Sequence, residues 1–160
     1  LIIRKIAKNE IEFLKDMLYE AIFLEKGEPK LPRSMIEEPS LAKYIDKFGL
    51  EKYDLCFVAV ESGSLIGAAW GRLFSEKNKG YGFLDTATPE LSIAMKEQFR
   101  NRGIGTRLIQ SIVNEYQQMG LNTLSISVDK KNKAYELYKR LGFETILETD
   151  TSAVMRLLFA

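Results

Sequence analysis

The chain has 160 residues, 46% of them hydrophobic and 28% charged, with a formal net charge of +1. That composition describes one globular domain over residues 1–160, with too little excess charge to hold nucleic acid or an anionic membrane by bulk electrostatics. The absence of histidine excludes a Ser-His-Asp or Cys-His nucleophile and any histidine-ligated metal, a lone cysteine excludes an intrachain disulfide and fits a reducing, cytoplasmic compartment, and neither a membrane-spanning apolar run nor a signal-peptide pattern is present.

Leu1 to Ile6 is expected to form a first strand. Asn9 and Glu12 have the spacing of a capping box, and Ile11, Leu14, Leu18 and Ala21 mark the face of the helix that follows. Glu25 to Glu38, with Gly27, Pro29 and Pro32, reads as a loop, and Pro39-Ser40 opens a second helix expected to run through Phe48. Asp54 to Glu61 and Leu65 to Phe74 are strands joined by Ser62-Gly63-Ser64, a hairpin. Within the first of them, Cys56 sits among apolar neighbours and is expected to be an inert buried thiol. Ser75 to Gly82 is a charged loop, and Glu90 to Met95 is a buried strand. Ile104, Leu108, Ile109, Ile112, Val113 and Tyr116 recur at helical spacing up to about Met119, before Gly120. A strand at Thr123 to Val128, a short helix at Lys133 to Leu141 stopped by Gly142, and strands at Phe143 to Glu148 and Ala153 to Phe159 close the chain. The order of elements is that of a mixed α/β domain.

Between the buried strand and the long helix lies Arg100 to Thr106, RNRGIGT. Its glycines fall at a helix start, where unpaired N–H groups and the helix dipole favour an anion. Gly103 and Gly105 present no side chain to block a ligand from those amides, and Arg100, Arg102 and Arg107 add full positive charges. Such a place suits a diphosphate. A dinucleotide fingerprint does not fit, because Leu108 stands where a third glycine belongs. No Gly-Lys-Ser/Thr of a P-loop occurs.

Ile93 to Gly105, IAMKEQFRNRGIG, resembles motif A of the GNAT acyl-CoA N-acyltransferases, whose core is Q/R-x-x-G-x-G/A. Asn132 to Phe143, NKAYELYKRLGF, resembles motif B of the same family without departure. The two stand in order with a strand between them, and the likeness in element order spans essentially the whole chain. One departure is visible: Glu97 stands where many members carry proline. The resemblance implies a mostly antiparallel sheet of about six to seven strands, flanked by about four helices, with a parallel splayed pair at the cofactor site. It also implies transfer of an acetyl group from acetyl-CoA, without a metal, to a primary amine by direct attack in a ternary complex. By position, the backbone of Ile93, Ala94 and Met95 would pair with the pantetheine arm. The amides across Asn101, Arg102, Gly103, Ile104, Gly105 and Thr106, beside Arg100, would hold the diphosphate. Asn132 and Ala134 would meet the cofactor arm, and Tyr138 would stand near its sulfur. Backbone N–H near Met95 would polarise the thioester carbonyl. Homodimers are common in that family.

Amine attack on a thioester expels a thiolate, which a phenol at the sulfur can protonate or stabilise; Tyr138 is the candidate acid. Its spacing with Ala134, Leu137 and Leu141 fits core packing equally well, and only the resemblance separates the two. The base is Glu90, or water. Glu90 shares a strand face with Ser92 and Ala94, opposite Leu91, Ile93 and Met95, so it either looks into a cleft or is an ordinary solvated strand end. Asp85 is a weaker candidate. Lys130, Lys131, Lys133, Lys139 and Arg140 form a basic run that is either a solvated face or a partner for the ribose phosphate. Residues 25–48 and 75–88 would shape the pocket for a small amine, with Trp70, Tyr81 and Phe83 as an aromatic wall or as core. Two rival readings stand beside this one: a non-catalytic CoA-binding module, and a nucleic-acid-binding domain, which the near-neutral charge and Glu97 disfavour.

Overall fold

In the computed structural model, which describes residues 1–159, seven strands join one sheet. They are β1 (Ile2–Lys5), β2 (Leu55–Glu61), β3 (Ser64–Arg72), β4 (Glu90–Met95), β5 (Thr123–Asp129), β6 (Glu144–Glu148) and β7 (Ser152–Leu158), in the order β1-β2-β3-β4-β5-β7-β6. The helices are α1 (Phe13–Glu20), α2 (Pro39–Ala42), α3 (Ile104–Gln118) and α4 (Ala134–Arg140). Neighbouring strands are antiparallel except β4 and β5. That parallel pair meets at a single register point, Glu90 opposite Ser125. The sheet, the helices and the splayed pair match the expected architecture.

Strand alternation divides the core into two layers. On one face, Leu91 and Met95 of β4 pack with Leu124 of β5 and with Ile104, Leu108, Ile112 and Tyr116 of α3. The spacing of those α3 residues is one helical stripe, which is why the helix lies flat on the sheet. Tyr138 of α4 belongs to the same layer. On the other face, Ala94 of β4 and Trp70 of β3 pack against Leu14, Met17 and Leu18 of α1 and against Tyr44. Each aliphatic side chain so buried contributes about 1.5–3 kcal/mol of transfer free energy. Among the described residues, no helix is long and apolar enough to cross a membrane.

Two local expectations fail for identifiable reasons. The capping box at Asn9 and Glu12 does not form. Instead a 3-10 turn spans Lys8–Glu10, and Glu10 accepts the Ala7 N–H at 2.8 Å while pairing with Arg4 at 2.8 Å. Glu12 is left on the surface beside Lys15. The helix expected from Pro39 to Phe48 is helical only over Pro39–Ala42, after which the chain continues as turns that end in left-handed Lys47 and Gly49. Arg72 supplies the cause. Its Nη1 donates to the carbonyls of Lys43 and Asp46, both at 2.9 Å, and the first of these is the acceptor that Lys47 N–H would use in a continuing helix.

Candidate active site

The split between β4 and β5 creates the site. β4 pairs with β3 from Glu90 to Met95, but its other edge has no strand beside it after Glu90. Backbone N–H and C=O groups along residues 92–95 that face this side are thus open to an extended ligand that adds itself as a strand. Ile93 lines the resulting cleft, while Ala94 and Met95 lie buried beyond it, and the Met95 carbonyl accepts from Arg100 Nε at 3.3 Å.

The strand edge leads to the glycine turn. Asn101 and Gly103 adopt left-handed φ values of 63° and 76°, and Gly103 caps α3 without any side-chain cap. In consequence the amides of Asn101, Arg102, Gly103, Ile104, Gly105 and Thr106 have no hydrogen-bond partner among the described residues. A run of free amides at the start of a fifteen-residue helix is suited to an anion. The arginines contribute unequally. Arg100 pairs with Glu20 at 3.1 Å and Arg102 with Glu61 at 3.6 Å, whereas Arg107 is exposed and makes no ion pair among the described residues.

At the point where the strands part, a cleft of about 200 Å³ opens, and Glu90, Asn132 and Tyr138 all line it. Glu90 is only 4% exposed, so it is not a solvated strand end. The loop after β3 covers it. A Cβ on Gly80 would fall 2.2 Å from Glu90 Oε1, and one on Gly82 would fall 3.0 Å from its Cδ. Only glycine lets the backbone come this close. Tyr44 Oη donates to Glu90 Oε2 at 2.5 Å and accepts the Tyr81 N–H at 2.7 Å. Burial pushes the carboxyl up to about 7, opposed by the Tyr44 hydrogen bond, the nearby Gly82 N–H and the charge of Lys43. The Gly82 amide favours the charge without forming a well-directed bond, for Oε1 has no hydrogen-bond partner among the described residues. A carboxyl that titrates near neutrality is suited to proton transfer.

Tyr138 reaches the cleft from the other layer of the core. It is 5% exposed, packs on Phe143 with ring centroids 5.7 Å apart, and burial raises its phenol above the ordinary value. Its hydroxyl makes no hydrogen bond among the described residues, so packing positions the ring while the oxygen is left for a ligand. Asn132 Oδ1 accepts the Ala134 N–H at 3.0 Å, which fixes the side chain at the start of α4. Glu90 and Tyr138 belong to opposite faces of the sheet, and the split brings both to one cleft.

Other expected residues lie elsewhere. Asp85 is exposed and caps the Ala87 N–H at 2.9 Å. Trp70 is 1% exposed, with its indole N–H on the Tyr44 carbonyl at 3.1 Å, so it is core. Phe83 packs against the same layer, and only Tyr81 of the three aromatics lines the cleft. Cys56 is buried, and desolvation raises its thiol, as expected of an inert residue. In the basic run, Lys130, Lys131 and Lys139 pair with Glu148, Glu25 and Glu136, leaving Lys133 and Arg140 without an ion pair among the described residues. Tyr44 is the residue the sequence did not single out. The Gly80-Tyr81-Gly82 pattern was the available signal, since paired glycines near a candidate carboxylate mark a close backbone approach.

A stability test follows from Glu90. Its folded pKa of about 7 exceeds the ordinary 4.5, so between those values the folded state holds more proton than the unfolded one. Stability therefore falls as pH rises through that window and stays lower above it. Glu90→Gln is expected to remove this pH dependence and to be more stable than the parent at about pH 8 by roughly 2–3 kcal/mol. Urea denaturation of both proteins at pH values across the window measures it; parallel profiles would show that the carboxyl titrates normally.

Comparison with known proteins bears on the family and the fold. The sequence model of the acetyltransferase (GNAT) family matches residues 15–143. The fold is similar to that of PaiA N-acetyltransferase from Thermoplasma acidophilum in complex with coenzyme A, with 17% identity, a TM-score of 0.73, and coverage of 99% of this chain and 98% of that one. It is also similar to YncA from Salmonella typhimurium with its cofactor acetyl-CoA, with 17% identity, a TM-score of 0.69, and 99% and 94% of the two chains covered. A third similar structure is a ribosomal-protein-alanine N-acetyltransferase from Brucella melitensis, with 18% identity, a TM-score of 0.66, and 99% and 100% covered. No curated protein matches the chain.

Proposed function

Because the chain belongs to the GNAT acetyltransferase family, we propose that residues 1–160 form one domain that moves an acetyl group from acetyl-CoA to a primary amine of a small molecule by direct attack. The observation that carries this reading is the continuity of the site. An open strand edge runs from a cleft holding Glu90 and Tyr138 to six consecutive free amides at a helix start. An extended arm ending in a diphosphate fits that track, with Ile93–Met95 pairing along the arm and Asn101–Thr106 holding the phosphates.

When bound, acetyl-CoA supplies an acyl carbon already activated as a thioester. The chain supplies positioning and proton transfer. Backbone N–H near Met95 polarises the acyl carbonyl. Glu90 in its charged form accepts a proton from the amine, directly or through water, because an ammonium has no lone pair with which to attack. Tyr44 keeps that carboxyl oriented. Tyr138 Oη donates toward the departing sulfur. Asn132 orients the arm, and Lys133 and Arg140 are the exposed cations free to meet a ribose phosphate.

Calorimetric titration of acetyl-CoA into the protein and into Gly105→Glu tests the reading. A Cβ at Gly105 meets only Ile93 Cδ1, at 3.5 Å, so the substitution fits the fold. It also replaces glycine by a better helix former. What it changes is the ligand's surroundings, by putting bulk and negative charge among the free amides. Tight binding by the parent and a loss of about a hundredfold or more in the variant, at unchanged Tm, are expected. Equal binding by both would move the cofactor elsewhere. No binding by the parent would end the acetyltransferase reading. Binding without turnover across a broad amine panel would leave a non-catalytic module.

A further inference from the structure

On the α1 and α2 side, the cleft is lined by Leu18, Ile22, Phe23, Leu41 and Tyr81, together with Glu90. No lysine or arginine lines it among the described residues. Lys43 is felt electrostatically at Glu90, but its ammonium is tied to the Lys79 carbonyl and stays outside. Asp129, the other acid of the lining, already accepts the Lys131 N–H at 2.8 Å. Glu90 Oε1 is buried without a hydrogen-bond partner among the described residues. We infer that the acceptor is a small monoamine with an apolar body, one ammonium group and no carboxylate.

Each part of that description follows from the lining. An ammonium at the Glu90 end of the cleft is drawn to a carboxyl whose charge no lysine or arginine of the lining offsets among the described residues. A carboxylate on the same molecule would lose its water and meet no cation of the lining among the described residues, only neutral hydroxyl and amide groups, carbon and two acids. On the α1 and α2 side a second ammonium would meet Leu18, Ile22, Phe23 and Leu41 and no second carboxylate among the described residues. The cleft, at about 200 Å³, is smaller than the roughly 300–1,000 Å³ usual for ligand sites, which limits the body to a single ring or a short chain. Tyr81, 62% exposed, stands on the loop that covers Glu90 and presents its ring at the mouth. As an account of the acceptor, this rests on the transferase reading; as an account of what the cleft binds, it is tested separately.

The experiment is calorimetric titration of phenethylamine, phenylalanine and spermidine into the protein saturated with CoA. The first two share one apolar body and differ by a carboxylate, and the third adds cations. Phenethylamine is expected to bind at least about a hundredfold more tightly than either of the others. Glu90→Gln is expected to weaken phenethylamine by about tenfold or more at constant CoA affinity. Phenylalanine or spermidine binding as tightly, no phenethylamine binding, or Glu90→Gln without effect would each overturn the inference. Mass spectrometry of the product with acetyl-CoA in place of CoA reads the other question. Selective binding of phenethylamine without its acetylation would uphold the inference about the cleft and overturn the transferase.

Discussion

Tyr138→Phe is expected to lower turnover by about 10²–10⁴-fold, the usual contribution of a positioned acid, while acetyl-CoA affinity stays within about a factor of two. The lost atom is a hydroxyl without a protein partner, so no buried donor or acceptor is orphaned by its removal. The ring that packs on Phe143 remains. Stability should change by less than about 1 kcal/mol, which separates a chemical effect from a structural one. Single-turnover acetyl transfer at saturating cofactor, alongside a thermal melt, is the measurement. Thiolate expulsion would then have become the slow step, and acceptors with more basic amines would not restore the rate. Turnover equal to that of the parent would return Tyr138 to the core layer as a packing residue and leave the thiolate to be stabilised by solvent.

Asp54→Ala should produce the largest loss of stability, about 3–5 kcal/mol, the cost of breaking a buried ion pair from one side. Asp54 is 1% exposed in its side chain and grips Arg72 with both oxygens, at 3.1 and 2.9 Å. It also accepts the Gly49 N–H at 3.0 Å. Removing it leaves the Arg72 guanidinium buried without a counter-charge. Since folded domains are stable by only about 5–15 kcal/mol, the variant would sit near its limit. Urea denaturation reads the loss, and a shift below about 1 kcal/mol would mean that the pair contributes no more than a surface bridge. The effect reaches the cleft, because Arg72 holds the segment carrying Tyr44, the residue bonded to Glu90.

What the sequence made legible was whatever depended on neighbours close in the chain. The α3 stripe, the β2–β3 hairpin and the glycine turn are local patterns, and each formed where expected, within a residue or two at its ends. The alternation of β4 correctly put Glu90 and Ala94 on the face opposite Leu91 and Met95. The burial of Glu90 was not legible, because it is produced by two glycines from one loop and a tyrosine forty-six positions away. The early end of the second helix was hidden for the same reason. Arg72 comes from a distant strand, and it diverts a carbonyl that the local pattern assigns to a helix. The cleft lining was legible in part: Leu41 and Tyr81 fall in the segments expected to shape it, whereas Leu18 comes from α1.

A sheet is ordinarily a rigid plate because each strand is tied along its length to the next. Here the plate is cut, and β1–β4 and β5–β7 are two leaves joined across the cut at one register point. Whatever fills the slot becomes the mortar between them. A ligand at a hundred times its dissociation constant adds about 2.7 kcal/mol of cohesion. If acetyl-CoA is what fills the slot, the protein's resistance to heat is expected to rise with the concentration of that ligand.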